Sequence, residues 1–282
     1  MNFGITNTAY YDEKTGCVNY KKMREDGFNC GDYQQLSNVN SEIFTKSSTE
    51  FQRILTEEKE DAHNNGIVFS QVHAPFYVCD VDSAKYQNLL ECTKKAILGT
   101  KYLDCKHLVV HTIMPQPWGG NEDFNKTRNI NVCFFNEICD YAQLHDVNIC
   151  AENLPFKNHT LSLTNELINF IKKLKKDNLF ICLDTGHSHI NNENIKESIE
   201  LCGEKLKVFH IHDNKQNGDL HLPPYCGNLN WENFKKGIET IKFNGCLSLE
   251  TEYKRNCPTV LRNTLMQSLV KTLEYFSNID TK

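Results

Sequence analysis

What this chain lacks narrows its identity first. It has no apolar run near the ~18 residues that a membrane-spanning helix needs. None of its 13 cysteines is spaced Cys-x-x-Cys, which argues against a zinc ribbon or a thioredoxin-type redox pair. Lys and Arg never stand more than two in a row, and the net charge is −5 with a pI of about 6.1. No electrostatic footprint for nucleic acid therefore stands out. The opening residues, Met1-Asn2-Phe3-Gly4-Ile5, lack a charged segment followed by an apolar signal core. No Pro- or Ser-rich linker and no low-complexity tract divides the chain. The expectation is one domain over residues 1–282, with no membrane partner, in the cytoplasm. The cysteines fit this reading. Their number is odd, and Cys105, Cys150, Cys182 and Cys246 lie inside apolar runs, so they are expected as buried thiols rather than a disulfide scaffold.

What is present is a repeated strand-like element. Eight short apolar runs cover Asn2 to Thr6, Gly27 to Gly31, Ile67 to His73, His107 to His111, Val147 to Glu152, Leu179 to Asp184, Leu206 to His212 and Cys246 to Glu250. Several are apolar almost throughout, as parallel strands covered on both faces are. Helix-like spacing fills much of the chain between them, for example over Thr49 to Asn64, Lys85 to Thr100, Phe124 to Leu144 and Thr164 to Lys176. A last helix is expected over Val260 to Phe276. Strands alternating with helices imply βαβ units. The 282 residues match the roughly 250 of a (β/α)8 barrel. An open doubly wound sheet would want a Gly-rich phosphate turn after the first strand, and Thr6-Asn7-Thr8-Ala9-Tyr10 has none. The expected fold is an α/β (β/α)8 TIM barrel, with the polar segment Asp213 to Leu229 over its mouth.

Nine residues with metal-binding side chains cluster at the ends of these runs or follow them: His73, His111, Glu152, Asp184, His187, His210, Asp219, His221 and Glu250. A carboxylate after an apolar strand is also what a helix N-cap looks like. That explanation suits any one of them better than it suits four consecutive strands ending alike. In a barrel those ends meet at one rim, where several carboxylates need a cation between them. Imidazoles with carboxylates and no thiolate point to a catalytic divalent metal. His210 and His212 share a strand face, so either can be the ligand; His210 lies nearer the strand body and is preferred. His212 and Asp213 are candidates for supporting contacts or for substrate.

This pattern resembles the xylose isomerase-like barrel superfamily, which holds sugar isomerases and epimerases and the endonuclease IV type of apurinic endonuclease. The resemblance spans nearly the whole chain. It implies a four-ligand site at Glu152, Asp184, His210 and Glu250. It also implies the endonuclease-type extension, with His73, His111 and Glu152 on one zinc, Glu152 bridging to a second, and His187, Asp219 and His221 on a third. Five histidines favour Zn²⁺, one to three ions, with Mn²⁺ or Co²⁺ as alternatives at the four-ligand site.

The chain departs from the endonuclease pattern in its charges. Leu220 is neutral, Pro223 and Pro224 stiffen the turn, and neither Leu220 to Trp231 nor Gln34 to Ser41 contains Lys or Arg. DNA binding draws on such contacts. The expected function is a metal-dependent isomerase or epimerase acting on a small sugar, sugar phosphate or polyol through an enediolate. Glu152 and Glu250 would serve as acid and base, with His187 holding a substrate oxygen or a metal. The alternative is a zinc-cluster hydrolase that cleaves phosphodiesters, which keeps nucleic acid open as a partner. Trp118, Trp231 and Tyr225 are candidates to pack on a sugar face, and Pro115 to Asp123 and Tyr225 to Asn230 are candidate specificity loops. Homo-oligomerisation is left open.

Overall fold

The computed structural model describes residues 1–76, 83–114, 123–156, 159–251 and 257–277. Eight parallel strands form one sheet: β1 (Asn2–Thr6), β2 (Cys30–Tyr33), β3 (Val68–His73), β4 (His107–His111), β5 (Asn148–Glu152), β6 (Leu179–Asp184), β7 (Leu206–His210) and β8 (Cys246–Leu249). From β1 to β7 each pairs with its sequence neighbour, and β8 pairs with β1. The seam between β7 and β8 is closed just past the strand ends. There the Ile211 N–H donates to the Ser248 carbonyl (2.9 Å) and the Glu250 N–H donates to the Ile211 carbonyl (3.0 Å). The result is the expected (β/α)8 barrel.

The helices are α1 (Tyr20–Glu25), α2 (Ser48–Asn64), α3 (Ala84–Tyr102), α4 (Phe124–Leu144), α5 (Thr164–Leu174), α6 (Thr185–Ile190), α7 (Ile195–Cys202), α8 (Trp231–Thr240) and α9 (Thr259–Phe276). Side-chain oxygens of Ser47, Ser83 and Asp123 accept backbone N–H bonds at the starts of α2, α3 and α4, satisfying donors that the helix itself leaves free. The main core lies between helices and strands, as where Phe209 packs edge-on against Phe234 and Phe243. A smaller layer of Val109, Cys150, Cys182 and Val208 is a second, separate group of buried residues on neighbouring strands β4 to β7. All 12 cysteines among the described residues are free thiols, and the four expected in the core are buried. No described helix is long and apolar enough to cross a membrane.

One strand differs from expectation. The second run was placed at Gly27 to Gly31, whereas β2 begins at Cys30. Gly27 has φ of +110° and belongs to the turn that ends α1, so the apolar Phe28 after it leads into the strand instead of sitting within it. The shift carries Asp32 to the strand's C-terminal end, where it is fully buried.

The segment after β7 does fold over the barrel mouth. Asp213 and Leu222 exchange two backbone hydrogen bonds (2.7 and 2.9 Å), which turns the intervening residues back on themselves. The Asp213 carboxylate, fully buried, accepts from the N–H groups of Asn214, Gly227 and Leu229 and from the indole N–H of Trp231, all between 2.8 and 3.1 Å. Only glycine fits at 227, because a Cβ there would come within 2.3 Å of Asp213 Oδ1. Trp231 is therefore core: it is buried and stacks on Phe276. Replacing Asp213 with Ala orphans several of these donors, at roughly 1–3 kcal/mol each when buried. Urea unfolding of Asp213→Ala is expected to show a loss of at least about 3 kcal/mol. A loss below 1 kcal/mol, about one orphaned donor's minimum, would mean that the loop does not depend on this clasp.

Candidate metal centre

Eight of the nine residues singled out from the sequence stand at the C-terminal ends of the barrel strands or on the segment folded over them, and His187 stands in the first turn of α6 after β6. They form two adjoining groups. In the inner group Glu152 lies buried at the centre. Its Oε2 is 3.0 Å from His111 Nε2 and 3.5 Å from His73 Nε2, and its Oε1 is 2.9 Å from His210 Nδ1. Glu250 Oε2 approaches the same His210 nitrogen at 3.3 Å. The His73 and His210 rings stack with centroids 5.5 Å apart.

The outer group holds Asp184, His187, Asp219 and His221, together with His212. Asp219 Oδ2 lies 3.3 Å from both His187 Nε2 and His221 Nε2. His212 Nε2 is 3.0 Å from Asp184. Asp184 is both an N-cap and a site residue: its Oδ1 accepts the His187 N–H at 2.6 Å and so starts α6. Thr185-Gly186 forms the first turn of this helix, and positions three apart share a helix face, so Asp184 and His187 turn to one side. His221 has φ of +45°, so Asp219-Leu220-His221 bends at its end, yet both side chains reach the site. The groups touch where His187 Nδ1 comes within 3.7 Å of Glu152 Oε1.

The donor set fits a divalent ion. His73, His187 and His221 each direct Nδ1 at a backbone carbonyl (Ala74, 2.7 Å; Asn153, 2.7 Å; Glu250, 2.9 Å). With Nδ1 held on a carbonyl, Nε2 is the nitrogen that offers a lone pair to an ion once its own proton leaves. Metal-ligating histidines are held in this way. Glu152 Oε2 is buried and accepts no well-formed hydrogen bond, although two imidazole nitrogens lie within 3.5 Å of it. Three donor atoms of His73, His111 and Glu152 lie within 4.8 Å of one another, as do those of His73, His210 and Glu250. Cys182 reaches the same space as Glu152 and His210, but burial pushes its thiol up and keeps it protonated.

Charge in the site is tightly coupled. Burial alone would raise the Glu152 carboxyl, yet His210 and His111 hold it well below the usual range. Burial works against a charged His187, but Asp184, Asp219 and Glu152 push it up to about 10. Burial likewise opposes charge on His221, which Asp219 and Glu250 push up to about 9. Without an ion, both rings carry protons at neutral pH. A metal ligand must be unprotonated, so an ion binding here displaces those protons and is held more weakly as the pH falls. Calorimetric zinc titrations in buffers of differing ionisation heat are expected to report net proton release at pH 7.5. Zero release would mean that the rings are already neutral.

A family model described as xylose isomerase-like TIM barrel matches residues 25–275. The chain belongs to the xylose isomerase-like TIM-barrel family. Within it, an uncharacterized protein of Methanocaldococcus jannaschii is 29% identical over 194 residues, which are 66% of this chain and 65% of that protein. The match thus spans just under two thirds of that relative's length. A solved D-psicose 3-epimerase, crystallised in the presence of D-fructose, superposes with a TM-score of 0.79 at 18% identity, covering 98% of this chain and 99% of that one. The IolI protein with a bound zinc atom gives 0.77 at 18% identity, with both chains covered completely.

One site residue was given a lesser role in the sequence and another escaped it. His212, expected to make supporting contacts or to meet substrate, lies at the rim facing Asp184. Asp32 was hidden by the displaced second strand. Its Oδ2 lies 3.2 Å from His210 Nε2 and also accepts from the side-chain amides of Gln34 (3.0 Å) and Gln71 (3.2 Å). Asp32 therefore fixes the face of His210 turned away from Glu152. A signal was available in principle: within Cys30-Gly31-Asp32-Tyr33 an acidic residue ends a strand, as at Asp184. Removing such an orienting partner typically weakens metal binding about 10–100-fold. Asp32→Asn is expected to do so in competition with a chromophoric chelator. Unchanged affinity would mean that His210 is oriented by packing alone.

Proposed function

We propose that the protein is a metal-dependent isomerase or epimerase of a small carbohydrate, with Glu152 and Glu250 as its acid and base. One observation carries this reading: two glutamates approach one imidazole nitrogen, His210 Nδ1, from different strands, and one of them opens onto a hydroxyl-lined cavity. The Glu250 side chain is 19% exposed, against 1% for Glu152. It borders a cavity of about 320 Å³ walled by Thr6, Thr8, Gln34 and Ser37. Hydroxyl and amide groups of this kind pair with sugar hydroxyls, and among the described residues lining it there is no Lys or Arg. Phe76, 49% exposed, lies nearly flat against His111 with centroids 4.7 Å apart, offering an apolar face at the rim. Tyr225 instead leans on Trp231 and Phe276. Trp118 and the loop 115–122 lie outside the described residues. Similarity to proteins named as sugar epimerases supports the same substrate class.

Glu152, His210 and Glu250, with Asp184 from the adjoining group, would hold a divalent ion, which would supply Lewis acidity to a carbonyl and its neighbouring hydroxyl. Glu250, at the cavity wall, removes the proton from the carbon beside that carbonyl. The proton returned at the other face comes from Glu152, which enters this direction of the reaction protonated; in the reverse direction Glu152, held ionised by His210 and His111, is the base and a protonated Glu250 the acid. His187, fixed by Asn153, holds the remaining oxygen or an ion of the outer group. Glu152→Gln and Glu250→Gln are each expected to abolish solvent deuterium exchange at the substrate carbon, by 10³-fold or more, about the upper range for acid–base catalysis. Persistent exchange in both variants would sink the two-glutamate scheme.

A second reading, zinc-cluster hydrolysis of phosphodiesters, is favoured by the outer group, since multi-metal clamps suit phosphoryl transfer. Incision of DNA carrying an abasic site, with no exchange on any ketose, would decide for it.

A further inference from the structure

We propose that His212 is itself a metal ligand, and that with Asp219 and His221 it holds a second divalent ion beside the one served by Glu152. The proposal rests on the reading above that the Glu152 group binds metal. Donor atoms of His212, Asp219 and His221 lie within 4.8 Å of one another, and those of His212, Asp184 and His187 do as well. His212 Nε2 faces carboxylate oxygens of both Asp184 (3.0 Å) and Asp219 (3.6 Å). Its Nδ1 is turned to the Asp213 carbonyl at 3.5 Å, a looser version of the arrangement that holds His73, His187 and His221. The ring lies nearly parallel to that of His221, with centroids 4.2 Å apart, so the two imidazoles face the same carboxylates side by side.

The fold makes room for this ring in particular. A Cβ at Gly186 would sit 2.0 Å from His212 Cε1 and 2.4 Å from Nδ1, so the first turn of α6 carries a glycine where the imidazole lies. The backbone of His212 is fixed as well. Its N–H donates to Thr185 Oγ1 (3.0 Å), and the Thr185 hydroxyl donates to its carbonyl (2.8 Å). A side chain needed only to donate one hydrogen bond to Asp184 could be an amide, with no bare helix position opposite. Two imidazoles with a carboxylate suit a zinc-like ion better than magnesium or calcium.

The test uses the full chain, stripped with chelator and reloaded with Zn²⁺, or with ¹¹³Cd²⁺ in protein labelled with ¹⁵N-histidine. In the wild type, ¹⁵N–¹¹³Cd coupling is expected at His212 Nε2. His212→Asn keeps a donor towards Asp184 but removes the ligand nitrogen. It is expected to lose one equivalent of zinc, or to bind it more than about 100-fold more weakly, beyond the 10–100-fold of a merely orienting partner. Gly186→Ala, which displaces the ring while leaving it in the chain, is expected to lose the same equivalent. Absence of coupling at His212 in the loaded wild type overturns the proposal, and that result needs no variant to fold. An unchanged zinc count and affinity in His212→Asn overturns it too. A wild type holding one ion only, at Glu152, defeats this inference and leaves the isomerase reading intact. Coupling at His212 with no carbon–hydrogen exchange on any sugar does the reverse.

Discussion

A carboxylate buried away from water must be paired, and this barrel buries Asp32, Glu152 and Asp184 to 1% exposure or less at one end. The local structure of the site answers that demand. His210 stands between Asp32 and Glu152, and His212 faces Asp184. The helix start at α6 spends one Asp184 oxygen on a backbone N–H, and the Asn153 side chain bridges the ends of β5 and β6 by bonding both backbone groups of Asp184. Protons balance part of the charge when no ion is present, and an ion would take their place. Charge compensation thus links strand register, helix capping and the chemistry of the site.

The barrel was legible because six of its eight strands carry apolar runs that end within one residue of the strand's own end. The second strand was not, since Cys-Gly-Asp-Tyr reads as a turn and its burial comes only from neighbours on β1 and β3. Asp32 was lost with it. The positions of the nine residues could be read because strand ends in a barrel share a rim. Their grouping could not, because it depends on how the segment after β7 bends back and on the left-handed φ at His221, neither of which leaves a periodic trace. His212 shows the limit well. Alternation put it on the same strand face as His210, but only the space left by Gly186, 26 residues earlier, shows where its ring goes.

The two groups have different origins in the chain. Glu152, His111, His73 and His210 end strands of the closed barrel, so their spacing is set by the sheet. Asp219 and His221 come from the segment clasped by Asp213, so theirs is set by a loop. The cavity wall of Thr6, Thr8, Gln34 and Ser37 belongs to other segments, and His221 is where the segment clasped by Asp213 meets it.

The seam of the barrel bears on how the protein is made. β1 needs β8 as a partner, and Glu250 follows β8 directly. A chain growing from its N-terminus displays His73, His111 and Glu152 well before Glu250 is synthesised, and it cannot close the ring until about nine tenths of its length has left the ribosome. Until then His73, His111 and Glu152 stand at an unclosed rim open to water, so the candidate site is completed only when β8 docks against β1.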